Sequence, residues 1–188
     1  MRNLIFLMHT SLDGFVAGPN GEMDWIKLDE ELFDFVATLT AKADTALYGR
    51  VTFEMMQGHW PTAGEQPKAT RHDKEHSAWY NKVPKVVLSK TINEGALTNT
   101  KVISDQLTDK LTQLKNLEGN DILIFGSPGA VHALLGLGLI DGFWLLVNPI
   151  LLGQGRPLFK DINAHIQLGL AESRIFASGV VALHYAKL

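Results

Sequence analysis

With 188 residues, 46% of them hydrophobic and 20% charged, the chain is long enough to bury one core and too apolar to be disordered. A net charge of −3 gives no general attraction to nucleic acid, so an anionic ligand would have to be captured locally. The absence of cysteine excludes disulfides, thiolate metal sites and a cysteine nucleophile. No internal repeat or linker interrupts the sequence, and a single domain over residues 1–188 is expected. Met1–Met8 lacks a small-residue cleavage site and reads as a strand rather than a signal peptide. No apolar run reaches membrane-spanning length, so a cytoplasmic location without membrane partners is expected.

Leu4–Met8 is a continuous apolar run, the pattern of a strand buried on both faces. The residues from His9 to Asp24 read as a long loop with four glycines or prolines and an apolar plug. Phe15 and Trp25 suggest a loop that closes over a ligand. A helix starts at Asp29, with Leu32, Phe33, Val36 and Leu39 as its apolar positions and three carboxylates in its first turn. Thr45–Tyr48 is a second strand, and Gly49-Arg50-Val51-Thr52 then opens a helix with a guanidinium and a hydroxyl. Planar arginine donors suit a phosphate because they engage two oxygens at once.

The polar segment Gly58–Tyr80 carries His72 and His76 at i, i+4. That spacing can hold zinc, but the glutamate does not follow the first histidine and no third ligand is marked, so a solvated helix face is expected and no metal site. Lys85–Leu88 is a third strand ending in Ser89, Lys90 and Thr91, and Gln106–Leu117 an amphipathic helix. In Asp121–Leu135 the run Ile122–Phe125 is a doubly buried strand, Gly126-Ser127-Pro128-Gly129 a turn, and Val131, Leu134 and Leu135 the buried side of a helix. Pro128 suits a first helical position, and the strand–turn–helix junction offers free N–H groups and a dipole to an anion. Phe143–Val147 is a further buried strand. The stretches Ile166–Phe176 and Val180–Ala186 form a hairpin about Ser178-Gly179. Strands alternating with helices, then a terminal hairpin, make an α/β protein with a mostly parallel sheet.

Three phosphate-suited strand ends, at Gly49–Thr52, Leu88–Thr91 and Gly126–Gly129, combine with Ser11-Leu12-Asp13-Gly14-Phe15-Val16-Ala17-Gly18 and Pro149–Gly153. In that order the chain resembles the dihydrofolate reductase superfamily, in the branch of the riboflavin-biosynthesis reductase domain, over Leu4–Tyr185. The resemblance implies a three-layer dihydrofolate reductase-like fold, an NADPH cofactor and a small pyrimidine- or pterin-like substrate. It also implies pairing into a homodimer, to which the apolar Val180–Leu183 adds an expectation from the residues themselves. It places Arg50, Ser89 and Lys90 on the adenosine 2′-phosphate, Thr52, Gly126, Ser127 and Gly129 along the pyrophosphate, and Val16, Ala17 and Gly18 beside the nicotinamide. Asp13 and Glu31 are the two carboxylates it offers as proton source, with a pKa raised by burial. Phe15, Trp25, Trp60 and Leu152 are expected to line the substrate cleft. The zinc motifs of the deaminase domain that commonly accompanies the riboflavin reductase are absent.

Two other readings compete with a reductase. A serine hydrolase on Ser127 fails because Phe125 replaces the glycine of the nucleophile elbow and Pro128 has no N–H for an oxyanion hole. A non-catalytic NADPH sensor or dimeric scaffold needs the same phosphate contacts as a reductase and stays open.

Overall fold

The computed structural model describes residues 1–160, 162 and 164–188, with the side chain of Ala96 left aside. Its first strand, β1, spans Leu4–Ser11, and β2 spans Phe15–Ala17. Helix α1 covers Glu30–Ala41, followed by β3 (Ala43–Gly49), α2 (Arg50–Gln57), α3 (Trp60–Ala63), α4 (Arg71–Lys82) and β4 (Lys85–Leu88). Then come β5 (Thr100–Ile103), α5 (Leu107–Asn116), β6 (Asp121–Phe125), α6 (Pro128–Gly136) and β7 (Gly142–Asn148). The last strands are β8 (Arg156–Pro157), β9 (Leu168–Ile175) and β10 (Val181–Lys187).

Eight strands form one sheet in the order β5-β4-β3-β6-β1-β7-β10-β9, while β2 and β8 pair separately. Strands β5 through β7 run parallel, and β10 is antiparallel to both β7 and β9. The continuous apolar runs are explained by burial on both faces. In β6, Leu123 and Phe125 join Leu32, Phe35 and Tyr80 on one side, while Ile122 and Ile124 join Leu111, Val131 and Leu134 on the other. Helices α1, α2 and α4 therefore cover one face and α5 and α6 the other. This is the three-layer arrangement expected from the sequence.

That layering also places a crevice. Neighbouring strands β3 and β6 send their following helices to opposite faces, Phe53 of α2 into one core and Val131 of α6 into the other. In open parallel sheets such a reversal opens a gap beyond the strands' carboxyl ends, where ligands bind.

Several local expectations change. The loop after β1 is shorter than predicted, because Thr10 and Ser11 still pair with Val147 and Asn148 of β7. Phe15–Ala17, expected as an irregular plug, is a short strand on Arg156–Pro157. In α1, Phe35 rather than Phe33 enters the core, and Phe33 turns to the crevice. Strand β5 went unpredicted because its alternation is weak and only β4 holds it. The terminal hairpin is as expected, with Gly179 at φ +85° in its turn. The apolar β10, however, lies inside the sheet between β7 and β9, which accounts for part of the apolarity that suggested an interface.

Candidate active-site cleft

The crevice is a single cleft of about 1060 Å³ running along the carboxyl ends of β1, β3, β4, β5 and β6. That exceeds the roughly 300–1000 Å³ usual for one small-molecule pocket, so two ligands can lie in it together.

At one end two helix starts meet. Gly49 caps α2 without a side-chain bond, and its N–H donates to Ser127 Oγ at 2.9 Å. Ser127 Oγ in turn donates to the Phe125 carbonyl at 2.9 Å, and the Ser127 N–H donates to Thr52 Oγ1 at 3.1 Å. Gly126 and Ser127 both take left-handed backbone angles, φ +52° and +60°, to make this junction. The N–H groups of Gly129 and Ala130 then fall in the first turn of α6, where no preceding helical carbonyl can accept them. A Cβ added to Gly129 would meet nothing within 4 Å, leaving room for a ligand backbone beside those donors.

Arg50, Ser89 and Lys90 surround this end. Arg50 currently pairs with Glu54 at 2.8 Å on a half-exposed helix surface, so it can swing to a stronger anion at little cost. Ser89 Oγ accepts the N–H groups of Thr91 and Ile92, both at 3.1 Å, which fixes the strand end from which Lys90 projects.

The other part of the cleft is apolar and aromatic. Met23, Ile26, Leu28, Leu32, Val36, Met55 and Met56 line it. Phe33 stacks on His72 with centroids 3.7 Å apart, and Trp60 lies 4.1 Å from His76. Burial lowers the His76 pKa to about 4 and also lowers that of His72. His9, at the end of β1, is likewise brought to about 4 by burial and lies 3.4 Å from Asn148 Nδ2. Fully buried Asn148 accepts the Lys27 N–H at 2.9 Å and so holds the 23–28 segment along the cleft.

The structure thus brings Val16, Ala17, Arg50, Thr52, Trp60, Ser89, Lys90, Gly126, Ser127 and Gly129 to one cleft. Asp13, Phe15, Gly18, Trp25, Glu31 and Leu152 are not among the lining residues. Asp13 accepts the Ser11 hydroxyl at 2.6 Å and the N–H groups of Leu152 and Gly153 at 3.1 and 2.7 Å. Those bonds, Ser11 first, hold its carboxyl below the ordinary range, the reverse of the rise expected for a proton donor. Glu31 faces away, pairing with Arg174 at 3.1 Å and accepting the Ala177 N–H at 3.3 Å. Trp25 donates to the Glu22 carbonyl, Gly18 turns the chain onto that same carbonyl, and Phe15 donates its N–H to Ser11 Oγ.

Sequence reasoning missed His9, Phe33 and Arg156 as cleft residues and assigned His72 and His76 to a solvated face. The i, i+4 spacing was visible, but not that α4 turns this face toward Trp60 and Phe125. Among the described residues no three or more histidines, aspartates or glutamates are grouped so as to hold a metal ion. No helix among them is long and apolar enough to cross a membrane.

The mostly parallel sheet flanked on both faces, with a cleft at its carboxyl edge and an antiparallel terminal hairpin, is a dihydrofolate reductase-like fold. More narrowly, the chain belongs to the RibD C-terminal domain family, which matches residues 2–182. It is 35% identical to YyaP of Bacillus subtilis (strain 168) over 189 residues, covering 98% of this chain and 94% of that one. Its fold is similar to that of a Shewanella sp. PV-4 protein assigned provisionally to riboflavin biosynthesis, with a TM-score of 0.76, 23% identity and coverage of 100% and 99%. It is also similar in fold to Enterococcus faecalis dihydrofolate reductase complexed with NADP(H), with a TM-score of 0.63, 14% identity and coverage of 98% and 96%.

Proposed function

We propose that the protein is an NADPH-dependent reductase that delivers a hydride to a small conjugated C=N or C=O substrate. The observation that carries this reading is the junction of two helix starts through Ser127, flanked by Arg50, Ser89 and Lys90, at one end of a cleft with room for a second molecule. Free first-turn N–H groups and the open space over Gly129 fit a pyrophosphate, and two cations with a hydroxyl fit a further phosphate. The family and the likeness to a dihydrofolate reductase solved with NADP(H) support the same cofactor.

The cofactor, when bound, supplies the hydride. This chain's part is to hold it by its phosphates, to keep water from the apolar end, and to orient the acceptor there. Among the described residues the proton that follows has no carboxylate source lining the cleft, since Asp13 and Glu31 are engaged outside it. Solvent entering past the rim is the proposed source, because an imidazole kept neutral by burial has no acidic proton to give near pH 7.

Titration with NADPH and NADH, read by tryptophan fluorescence, tests the cofactor. Loss of nicotinamide absorbance with candidate acceptors tests the reaction. NADPH binding with no turnover on any conjugated acceptor would favour the sensor alternative.

A further inference from the structure

The acceptor end of the cleft has a definite chemical character. Among the described residues no aspartate or glutamate lines the cleft, and its cations stand at the phosphate end or, as Arg156, on the β8 strand. What remains is a wall of rings: Phe33 on His72, Trp60 against His76, and Phe125 behind His76 at 6.3 Å. Met55 and Met56 line the same space, with Met56 Sδ accepting the Trp60 Nε1–H at 3.0 Å, and methionine side chains adapt to a flat surface. Burial keeps His76 neutral near pH 7, and among the described residues neither His72 nor His76 is engaged in a hydrogen bond. A neutral imidazole offers one donor and one acceptor.

A pterin or aminopyrimidine presents an amino-amidine edge of adjacent donors, which needs a carboxylate to meet it once buried. Glu31, the residue closest in the chain to such a role, is tied to Arg174 and Ala177 on the outer surface. A ligand with several buried donors would leave them unpaired against methionine and aromatic carbon. A flat, uncharged ring with carbonyl acceptors and no donors leaves no buried N–H unpaired.

We propose that the Phe33–His72–Trp60–His76 side of the cleft binds an uncharged, planar, largely apolar ring carbonyl compound, of quinone type, by ring stacking and one imidazole N–H to its carbonyl. That this compound is the hydride acceptor rests on the function proposed above; that it binds does not.

The test is calorimetric titration of the full chain with menadione and, separately, with pterin, first without cofactor and then with saturating NADP⁺. Menadione should bind at least tenfold more tightly than pterin in both conditions. Trp60→Ala and Phe33→Leu should each weaken menadione by roughly three- to tenfold, the range of a lost aromatic contact. His76→Phe keeps a ring in place and should weaken it by severalfold through the lost hydrogen bond alone. Circular dichroism melting confirms that each variant folds, and NADP⁺ affinity should stay within twofold of the unmodified chain. Pterin binding as tightly as menadione, or unchanged menadione affinity in Trp60→Ala and Phe33→Leu, overturns the inference. Menadione binding with no NADP⁺ binding upholds it and overturns the cofactor reading instead.

Discussion

The hydroxyl of Ser127 takes the N–H of Gly49 at 2.9 Å, 78 residues away in sequence, and joins the starts of two helices on opposite faces of the sheet. With the return bond from the Ser127 N–H to Thr52, it sets the spacing of the donors at the phosphate end. Ser127 is 4% exposed and its hydroxyl already donates to Phe125, so we propose that Ser127 positions the donors rather than offering its own to an anion.

Ser127→Ala should therefore act in two ways. It leaves the Gly49 N–H without its partner, at about 1–3 kcal/mol of stability by urea unfolding. It should also weaken NADPH and NADH equally, because both share the pyrophosphate. A loss confined to NADPH would place Ser127 at the 2′-phosphate instead of the pyrophosphate expected of it.

We propose that Arg50, with Ser89 and Lys90, discriminates between the cofactors. A hydrogen bond to a charged group contributes about 1.5–3 kcal/mol before desolvation, and Arg50 must first leave Glu54 on a half-exposed surface. Arg50→Ala should raise the NADPH dissociation constant about tenfold and move that of NADH less than twofold. Equal titration curves for the two cofactors in the unmodified protein would refute the preference.

The sequence made the layers and the gathering of the strand-end residues in one cleft legible, and much less of its aromatic end. Gly49, Ser89 and Gly126–Gly129 follow strands whose apolar runs are unmistakable, so their place at the sheet's carboxyl edge follows from the fold. Phe33 and Phe35 are two residues apart on one helix, and only the packed partner decides that Phe35 meets Trp144 while Phe33 meets His72. Asp13 sits in a motif the resemblance ties to substrate, yet besides Ser11 the bonds that engage it come from residues 139 and 140 positions away. No local pattern carries that pairing.

Two glycines in one turn should respond differently to valine. A Cβ on Gly126 would stand 3.4 Å from Thr52 Cγ2 with φ at +52°, so Gly126→Val strains the turn itself. It should lower stability by about 2 kcal/mol or more along with cofactor binding. Gly129 has ordinary helical backbone and open space. Gly129→Val should fold with nearly unchanged melting temperature and lose at least tenfold in NADPH affinity. Normal cofactor binding by a folded Gly129→Val protein would mean that the pyrophosphate does not lie there.

Pairing of two copies is a further proposal, moved by the structure from β10 alone to a wider face. Val147, Val181 and Ile175 lie in register across β7, β10 and β9, beside Leu145 and Leu183. Leu170 and Ile175 are 56% and 77% exposed on the edge strand, more apolar surface than a free edge tolerates well. Sedimentation should give about twice 20.7 kDa at micromolar concentration, and Ile175→Asp with Leu170→Asp should give the single-chain mass. A 20.7 kDa species from the unmodified protein at those concentrations would count against a homodimer.

The neutral histidines give stability a pH dependence of definite sign. His9 and His76 are lowered from 6.5 to about 4 by burial, so the unfolded chain takes up their protons before the folded one does. Their contribution is complete above pH 6.5 and is lost as the pH falls toward 4. Between pH 7.5 and 5 each imidazole should cost about 2 kcal/mol, before the carboxylates with lowered pKa, such as Asp73 in the cap of α4, begin to protonate. Urea unfolding at the two pH values should show this fall in the unmodified protein and a fall smaller by about 2 kcal/mol in His76→Phe. If the two proteins lose stability in parallel, His76 is protonated in the folded state well above pH 5, and the acceptor end of the cleft carries a charge.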